Sequence, residues 1–162
     1  MAARRRRSPR VALLVETTRT YTRELLAGVR RYVAAHGPWS CFVELRALES
    51  GPPPWLRNWD GDGILTRTFT QEMADVIAAT GLPAVELRAT YLKSDLPFVG
   101  MDNQLIGQMV AEHFFDRGYR NFAAYSLHTE RFFEERVQNF VTAVEKRGGS
   151  CSLLPEPISD RA

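Results

Sequence analysis

Short apolar runs alternate with longer stretches of helical period along this chain, and this alternation constrains its fold more than any other feature. Residues 11–15 form a β-rich apolar run, and apolar side chains then recur at three- and four-residue steps over residues 21–33. Further apolar runs predict strands at 39–45, 64–66, 82–87 and 98–101. Strands that alternate with helices predict right-handed βαβ units, so we expect an α/β fold with a doubly wound parallel sheet.

The composition is that of an ordinary globular protein. The 162 residues are 44% hydrophobic and 25% charged, which argues against a disordered or fibrous chain. The net charge of +2 is uneven, because residues 1–10 hold five arginines and no acid, which leaves 16 basic and 19 acidic side chains. The rest of the chain is therefore slightly acidic and carries no basic footprint for nucleic acid.

The basic N-terminus has several interpretations. We expect residues 1–9 to form a disordered, solvated tail, and a phosphate-binding arm is the alternative for the run from Arg4 to Arg7. A signal peptide does not fit, because the apolar run that follows is five residues long and ends at Glu16. No segment is long and apolar enough for a membrane span, so the sequence predicts a cytoplasmic protein without a membrane partner.

Motifs of catalysis, metal binding and cofactor binding are missing from the sequence. Cys41 and Cys151 stand far apart without a CxxC pattern, which predicts two reduced thiols and no metal site. The sequence has no GxGxxG after the first strand, no Walker loop, no GxSxG and no HExxH. We therefore expect no cofactor and no enzyme activity.

The stretch from residue 98 to residue 140 contains an ordered set of signals. Asp102 is placed as an N-cap before apolar positions of helical spacing, and Gly118 follows them as a helix stop. A strand over residues 121–126 comes next, and Arg136 stands near the start of a helix over about 131–147.

This ordered set resembles the effector-binding core of the LacI/GalR family and its relatives, the type I periplasmic-binding-protein-like domains. In that family a strand enters the helix at an Asp, an Ala and a His-Leu-type pair face inward, and an Arg on the next helix reaches the ligand. The corresponding residues here are Asp102, Ala111, His113 with Phe114, and Arg136. Residues 10–14, 21–29 and 59–64 look like the N-terminal sensor domains of xylose-operon activators, in which an AraC-type DNA-binding domain follows a LacI-like sensor.

The resemblance implies a two-lobed sensor. Residues 10–99 would form the first lobe, and residues 100–162 would form the start of a second lobe that is truncated at Ala162. We expect a fragment or truncated product of a bacterial transcription regulator that binds a sugar or sugar-acid effector between its lobes. A DNA-binding domain beyond the chain and a homodimer in the full-length protein are further implications.

Ligands of parallel sheets bind outside the carboxyl ends of the strands, which directs attention to the polar residues there. Hydroxyl and guanidinium groups hydrogen-bond sugar hydroxyls, and a tyrosine ring stacks on a pyranose face. The candidate ligand-binding residues are Thr18, Arg19, Tyr21, Arg67, Arg88 and Arg136.

Each candidate also has a structural interpretation. Tyr21 suits packing against the sheet, and arginines on loops usually face water. Four converging arginines would favour a sugar acid or sugar phosphate unless Glu16 and Glu86 neutralise them. Arg88 also favours an anionic ligand over a neutral sugar, because some sugar-binding relatives carry an Asp at the matching place.

Two other classes of function share the predicted sheet. A solute-binding protein of a transport system would have the same fold but needs an export signal. An enzyme on a Rossmann-like sheet would need a general acid or base that the sequence does not identify.

Overall fold

The computed structural model describes residues 7–127 and 130–154 and shows an α/β chain with parallel sheets. The predicted fold class is confirmed in this respect. The chain divides into two compact units. The first comprises the residues up to Arg88 together with Leu92–Val99, and the second comprises Ala89–Tyr91 and the residues from Gly100 onward.

The first unit is built on a four-stranded parallel sheet with the strand order β2-β1-β3-β4. Leu14 pairs with Thr66, and Thr66 pairs with Glu86, so three strands end at the same edge. The elements in chain order are β1 (Arg10–Leu14), α1 (Thr20–His36), β2 (Ser40–Val43), a 3-10 helix (Pro54–Asn58), β3 (Gly63–Thr66), α2 (Gln71–Ala79) and β4 (Ala84–Glu86).

The core of the first unit lies between the sheet and α2. β1 is a central strand with both faces covered, which explains its uninterrupted apolar run. The core residues are Ala12, Leu14, Leu56, Ile64, Met73, Val76, Ile77 and Ala84. The proline-rich segment around residues 50–54 is typical of a stiff connection, and it leads into the 3-10 helix, whose Leu56 is fully buried against the core.

The second unit contains two helices and two parallel strands. They are α3 (Asn103–Phe115), β5 (Asn121–Tyr125), α4 (Arg131–Lys146) and β6 (Ser150–Leu154), with β5 paired to β6. Asp102 caps α3 as predicted, because its carboxylate accepts a hydrogen bond from the Leu105 N–H at 2.8 Å. Gly118 follows α3 with a positive φ of 86°, a conformation that favours glycine.

The helices α3 and α4 pack closely on their small residues. Gly107 and Ala111 are buried on α3, and Ala143 and Val144 are buried on α4. A Cβ atom on Gly107 would lie 2.6 Å from the backbone nitrogen of Phe140, so only glycine permits this approach.

Two local predictions were wrong. Residues 98–101 do not form a strand; Phe98 makes an isolated parallel bridge with Glu86 instead. His113 and Phe114, which the resemblance places facing inward, are exposed, and so are the apolar residues Leu105 and Met109 of α3. The apolar spacing identified the helix correctly, but the packed face is the one with the small side chains.

Among the described residues, no helix is long and apolar enough to cross a membrane. Residues 1–6 of the predicted basic tail lie outside the described residues.

Candidate functional site

The carboxyl edge of the four-stranded sheet brings together the polar residues that follow its strands. Backbone hydrogen bonds extend the strand pairing past the ends of β3 and β4. The Arg67 N–H donates to the Leu14 carbonyl at 3.0 Å, and the Leu87 N–H donates to the Thr66 carbonyl at 2.8 Å. The backbone therefore fixes where Arg67 and its neighbours leave the sheet.

A buried ion pair joins the first two of these loops. Arg67 Nη1 donates to Glu16 Oε1 at 2.5 Å, and the two side chains are 7% and 0% exposed. Within the described residues, Glu16 Oε2 and Arg67 Nε are buried without a hydrogen-bond partner. The Glu16–Arg67 pair thus has no net charge but retains one acceptor and one donor.

Tyr21 lies at this pair. Its ring centroid is 5.0 Å from the guanidinium carbon of Arg67, a cation–π contact, and the residue is 44% exposed. The structure therefore brings Tyr21 and Arg67 together. A partly exposed aromatic ring lies against the guanidinium group whose Nε has no hydrogen-bond partner among the described residues.

A second polar cluster follows β4. The buried Glu86 carboxylate accepts from the backbone N–H groups of Thr68, Leu87 and Arg88 at 2.9–3.1 Å. Arg88 is also buried, donates to the Thr68 carbonyl at 2.8 Å, and lies with its guanidinium carbon 4.9 Å from the Phe69 ring centroid.

Burial raises the pKa of Glu86, and the hydrogen bonds from Thr68, Arg88 and Leu87 oppose that rise. The three N–H groups favour the ionised form, but the pKa is raised overall, so desolvation is the larger of the two effects. Glu86 and Arg88 therefore depend on the surrounding backbone for their placement.

Thr18 and Arg19 stand on the loop before α1 and are exposed. The Thr18 carbonyl accepts from Arg23 at 3.0 Å, and the Arg19 carbonyl accepts from the Thr22 hydroxyl at 2.9 Å. Both backbone carbonyls therefore accept hydrogen bonds from side chains in the first turn of α1, and both residues remain exposed.

Arg136 belongs to the second unit. Its Nε donates to Asn103 Oδ1 at 2.9 Å, its Nη2 lies 3.4 Å from Met101 Sδ, and its guanidinium carbon lies 4.9 Å from the Phe132 ring centroid. The guanidinium is therefore held by polar contacts at its edge and by an aromatic ring at its face.

Sequence reasoning missed Arg46, which follows β2 at the same edge of the first sheet. Its carbonyl accepts from the Thr17 N–H at 3.2 Å, and its Nη2 donates to the carbonyls of Ser50 and Gly51 at 2.8 and 3.0 Å. Burial lowers the pKa of Arg46, and the charges of Glu44 and Glu16 oppose that shift. Its place after a predicted strand was the signal that would have found it.

Among residues 7–127 and 130–154, no group of three or more His, Cys, Asp or Glu side chains is arranged to hold a metal ion. His128, which the sequence offers as a further polar loop residue, lies outside the described residues.

Known proteins are similar to this chain in sequence. The XylR N-terminal domain family matches residues 10–104. The xylose operon regulatory protein of Escherichia coli K12 is 26% identical over 125 residues, which are 73% of this chain and 31% of that protein. The chain thus spans about a third of the length of the curated relatives it matches.

Solved structures show the same fold at lower identity. The structure of xylose-binding transcription activator xylR superposes with a TM-score of 0.72 at 21% identity, covering 94% of this chain and 41% of that one. A periplasmic binding protein/LacI transcriptional regulator from Alkaliphilus metalliredigens QYMF, complexed with D-xylulofuranose, gives a TM-score of 0.69 at 15% identity, covering 91% and 56%.

These neighbours confirm the predicted type I periplasmic-binding-protein-like fold. The relatives are regulators and binding proteins, not enzymes. Because the family match covers more than half of the sequence, the chain belongs to the XylR N-terminal domain family.

Proposed function

We propose that this chain is the effector-sensing part of a bacterial transcription regulator, and that its effector is a neutral sugar. The family match and the xylose operon relatives support the class of protein. The sheet edge of the first unit supports the class of ligand.

The observation that carries the proposal is the Glu16–Arg67 pair. Leaving a buried polar atom without a partner costs about 1–3 kcal/mol, so two such atoms in one pair call for an explanation. A sugar hydroxyl donates one hydrogen bond and accepts others, so vicinal hydroxyls complement an adjacent carboxylate oxygen and guanidinium N–H. Glu16 Oε2 and Arg67 Nε are both buried in this structure, and they would supply this combination in a conformation that exposes them to the ligand.

Charge favours a neutral sugar over a sugar acid. Arginines alone would attract an anion, but the carboxylate of Glu16 cancels the charge of Arg67 at 2.5 Å. The buried carboxylate of Glu86 lies in the same network as Arg88, since both bond the backbone of Thr68. At the sheet edge of the first unit, a carboxylate or phosphate on the ligand would therefore meet Glu16 and Glu86 as well as Arg67 and Arg88.

The six candidate residues differ in the observations that support them as ligand contacts. Arg67 and Tyr21 are supported by their contact with each other at the buried pair. Arg88 and Arg136 are supported by guanidinium groups held at aromatic rings. Thr18 and Arg19 are supported by their position on the loop that follows β1 and by their exposure.

Signalling would follow from a shift in population. A ligand stabilises the conformation that it binds more tightly, so differential binding is what the rest of the regulator would detect. We propose that residues 10–99 and 100–162 are the first lobe and part of the second lobe of the sensor. Cytoplasmic location, DNA contact through a part of the protein outside these residues, and homodimerisation complete the proposal.

A solute-binding protein of a transport system is the alternative, and the neighbour from Alkaliphilus is described as a periplasmic binding protein/LacI transcriptional regulator. The match to the XylR N-terminal domain favours the regulator.

Isothermal titration calorimetry on the full-length protein tests the ligand class. D-xylose is the first probe, followed by neutral pentoses and hexoses, the matching uronic acids and the sugar phosphates. We expect at least one neutral sugar to bind more tightly than its acid or phosphate. Binding of anionic sugars alone would overturn the neutral-ligand proposal, and no binding of any sugar would overturn the sensing function.

Arg67→Lys tests the site itself. Lysine keeps a positive charge beside Glu16, so it avoids a buried unpaired carboxylate, but it removes Nε and the planar fork. We expect affinity for the neutral sugar to fall about tenfold, or about 1.4 kcal/mol. Arg57→Lys, on the exposed side of the 3-10 helix, is the matched control. Equal affinities in the two variants would remove Arg67 from the site.

Arg136→Ala tests the candidate in the second unit. We expect sugar binding to weaken by about one to two orders of magnitude while the protein stays folded. Unchanged affinity by calorimetry would remove Arg136 from the proposed ligand contacts.

A further inference from the structure

The first residue of α3, Asn103, contacts two charged side chains of α4. We propose that Asn103 is a positioning residue that holds the Arg136 guanidinium in its ligand-binding orientation. This inference rests on the proposed role of Arg136 as a ligand contact. It concerns only the second unit, where all of the groups involved lie.

The two ends of the Asn103 amide have opposite partners. Oδ1 accepts from Arg136 Nε at 2.9 Å, and Nδ2 donates to Glu135 Oε2 at 2.6 Å. A flipped amide would turn its NH₂ toward an N–H donor and its oxygen toward a carboxylate. Both contacts thus enforce one amide orientation, and that orientation presents an acceptor to Arg136.

The anchor of this arrangement is Glu135. Its Oε1 accepts from Arg131 Nε at 2.6 Å, one turn earlier on α4, and its carbonyl accepts from Asn139 Nδ2 at 2.7 Å. The contact with Arg131 therefore orients the same carboxylate that accepts from the Asn103 amide. A chain of polar contacts runs from Arg131 through Glu135 and Asn103 to Arg136.

The neutral amide matters for the charge of Arg136. A carboxylate in direct contact with the guanidinium would form an ion pair and compete with a ligand for the same donors. Asn103 instead occupies only Nε. Met101 Sδ, a weak acceptor, lies against Nη2, and Nη1 makes no hydrogen bond to any described residue. The planar fork is thereby held while most of its donors remain for a ligand.

A purely structural role makes a different prediction. If Asn103 only ties α3 to α4, its removal destabilises the unit and alters sugar affinity whether or not Arg136 is present. If it acts through Arg136, its removal has no effect on affinity once Arg136 is gone. A double-mutant cycle separates the two cases.

The cycle uses Asn103→Ala, Arg136→Ala and the double variant in the full-length protein, with D-xylose or the neutral sugar that binds best in the panel as the probe. We expect Asn103→Ala to weaken binding about fivefold, the effect of one hydrogen bond, and to add nothing in the Arg136→Ala background. Gln104→Ala, at the exposed next position of α3, is the matched control and should bind normally. Additive losses in the double variant would overturn the proposal.

A rescue variant tests the polarity of the contacts. Asn103→Asp alone places a carboxylate against Glu135 and should bind poorly. Asn103→Asp combined with Glu135→Gln restores an acceptor for Arg136 Nε and a donor–acceptor pair between positions 103 and 135. We expect the pair to bind more tightly than Asn103→Asp alone but more weakly than the wild type, because the carboxylate at position 103 also forms an ion pair with the Arg136 guanidinium. Failure of the pair to recover, in a protein whose melting temperature is normal, would contradict the positioning role.

A ligand-independent measurement distinguishes failure of this inference from failure of the proposed function. In ¹H–¹⁵N spectra, we expect the Arg136 Nε–H signal to be protected from solvent exchange in the wild type and in Gln104→Ala, and to lose that protection in Asn103→Ala. Persistent protection in Asn103→Ala would overturn the positioning role even if no sugar binds. Lost protection with no sugar binding would refute the sensing function instead.

Discussion

Replacing Gly107 by alanine is a stringent test of how the second unit is held together. In an exposed helix, alanine is favoured over glycine by about 1 kcal/mol, so propensity alone predicts a more stable protein. The structure predicts the reverse. The new Cβ would lie 2.6 Å from Phe140 N and 2.8 Å from Asn139 C, and both of these are backbone atoms that cannot rotate away.

Relief of this clash requires α3 and α4 to separate by several tenths of an ångström. Separation loosens the contact between Ala111 and Val144, which are fully buried in the core of this unit. Overpacking of this kind costs about 1–3 kcal/mol, which exceeds the gain in propensity. Because both clashing atoms are backbone, the cost lies in the upper part of this range, at about 2–3 kcal/mol, so we expect Gly107→Ala to lower the free energy of unfolding by about 1–2 kcal/mol.

Gly28→Ala is the control, because Gly28 also lies inside a helix. A Cβ there would meet only the end of the Arg31 side chain at 3.9 Å. We expect this variant to gain up to about 1 kcal/mol, so the same substitution should have opposite signs at the two positions.

Urea denaturation gives the free energies, and hydrogen exchange detected by mass spectrometry locates the change. Exchange should accelerate in the peptides of α3 and α4 in Gly107→Ala and not in those of β1 and α1. A Gly107→Ala protein as stable as the wild type, or more so, would refute the close approach of the two helices.

Three further predictions concern the core, the buried carboxylate and a helix cap. Leu56→Ala should cost about 2–5 kcal/mol in urea denaturation, since Leu56 is 0% exposed, whereas Leu45→Ala at an 86% exposed position should stay within about 0.5 kcal/mol. Because burial raises the pKa of Glu86, the folded state binds its proton more tightly, and the contribution of Glu86 to stability should fall as the pH rises above the ordinary carboxyl range. The stability of Glu86→Gln relative to the wild type should therefore increase with pH in thermal melts, and a constant or decreasing difference would refute the sign. Asp102→Ala should lose about 1 kcal/mol because the Leu105 N–H loses its cap, and Asp102→Asn should lose much less.

The sequence predicted those parts of the fold that depend on local pattern. The uninterrupted apolar run of β1 and the glycine after α3 gave a strand and a helix end close to the observed ones. The packed face of α3 could not be predicted in this way. Gly107 and Ala111 contribute little hydrophobicity, so the apolar spacing of Leu105 and Met109 dominated the pattern although those residues are exposed. What selects the face is the fit of α4, which is a property of two helices and not of one.

The 3-10 helix illustrates a second limit. Prolines predicted an extended connection, and that interpretation is sound for the residues before Pro54. Leu56 nevertheless packs into the core, in one buried cluster with Ile64 and Met73. Packing against residues that are distant in the sequence leaves no periodic pattern in a five-residue helix, so the sequence could not predict it.

Sequence reasoning placed the polar residues that follow the strands at one edge of the sheet, where they lie, but did not identify how they pair. The rule that ligand residues follow parallel strands indicated Arg67 and Arg88, and it applies equally to Arg46. It could not say which carboxylate meets which guanidinium. The register of β1 against β3 decides that, since Leu14 pairs with Thr66 and the next residues of both strands leave the sheet together.

The arginines of the two units are held in different ways, and the difference bears on what each contributes. Arg67 is paired directly with Glu16, so it retains directional hydrogen-bonding capacity but little net charge. Arg136 contacts the amide of Asn103 and remains a full cation with an open fork. Buried ion pairs are weak sources of stability, because desolvation offsets their attraction. Under the proposal that both arginines bind the effector, the buried pair would recognise a neutral polar ligand, and the amide-held Arg136 would donate to a hydroxyl or ring oxygen.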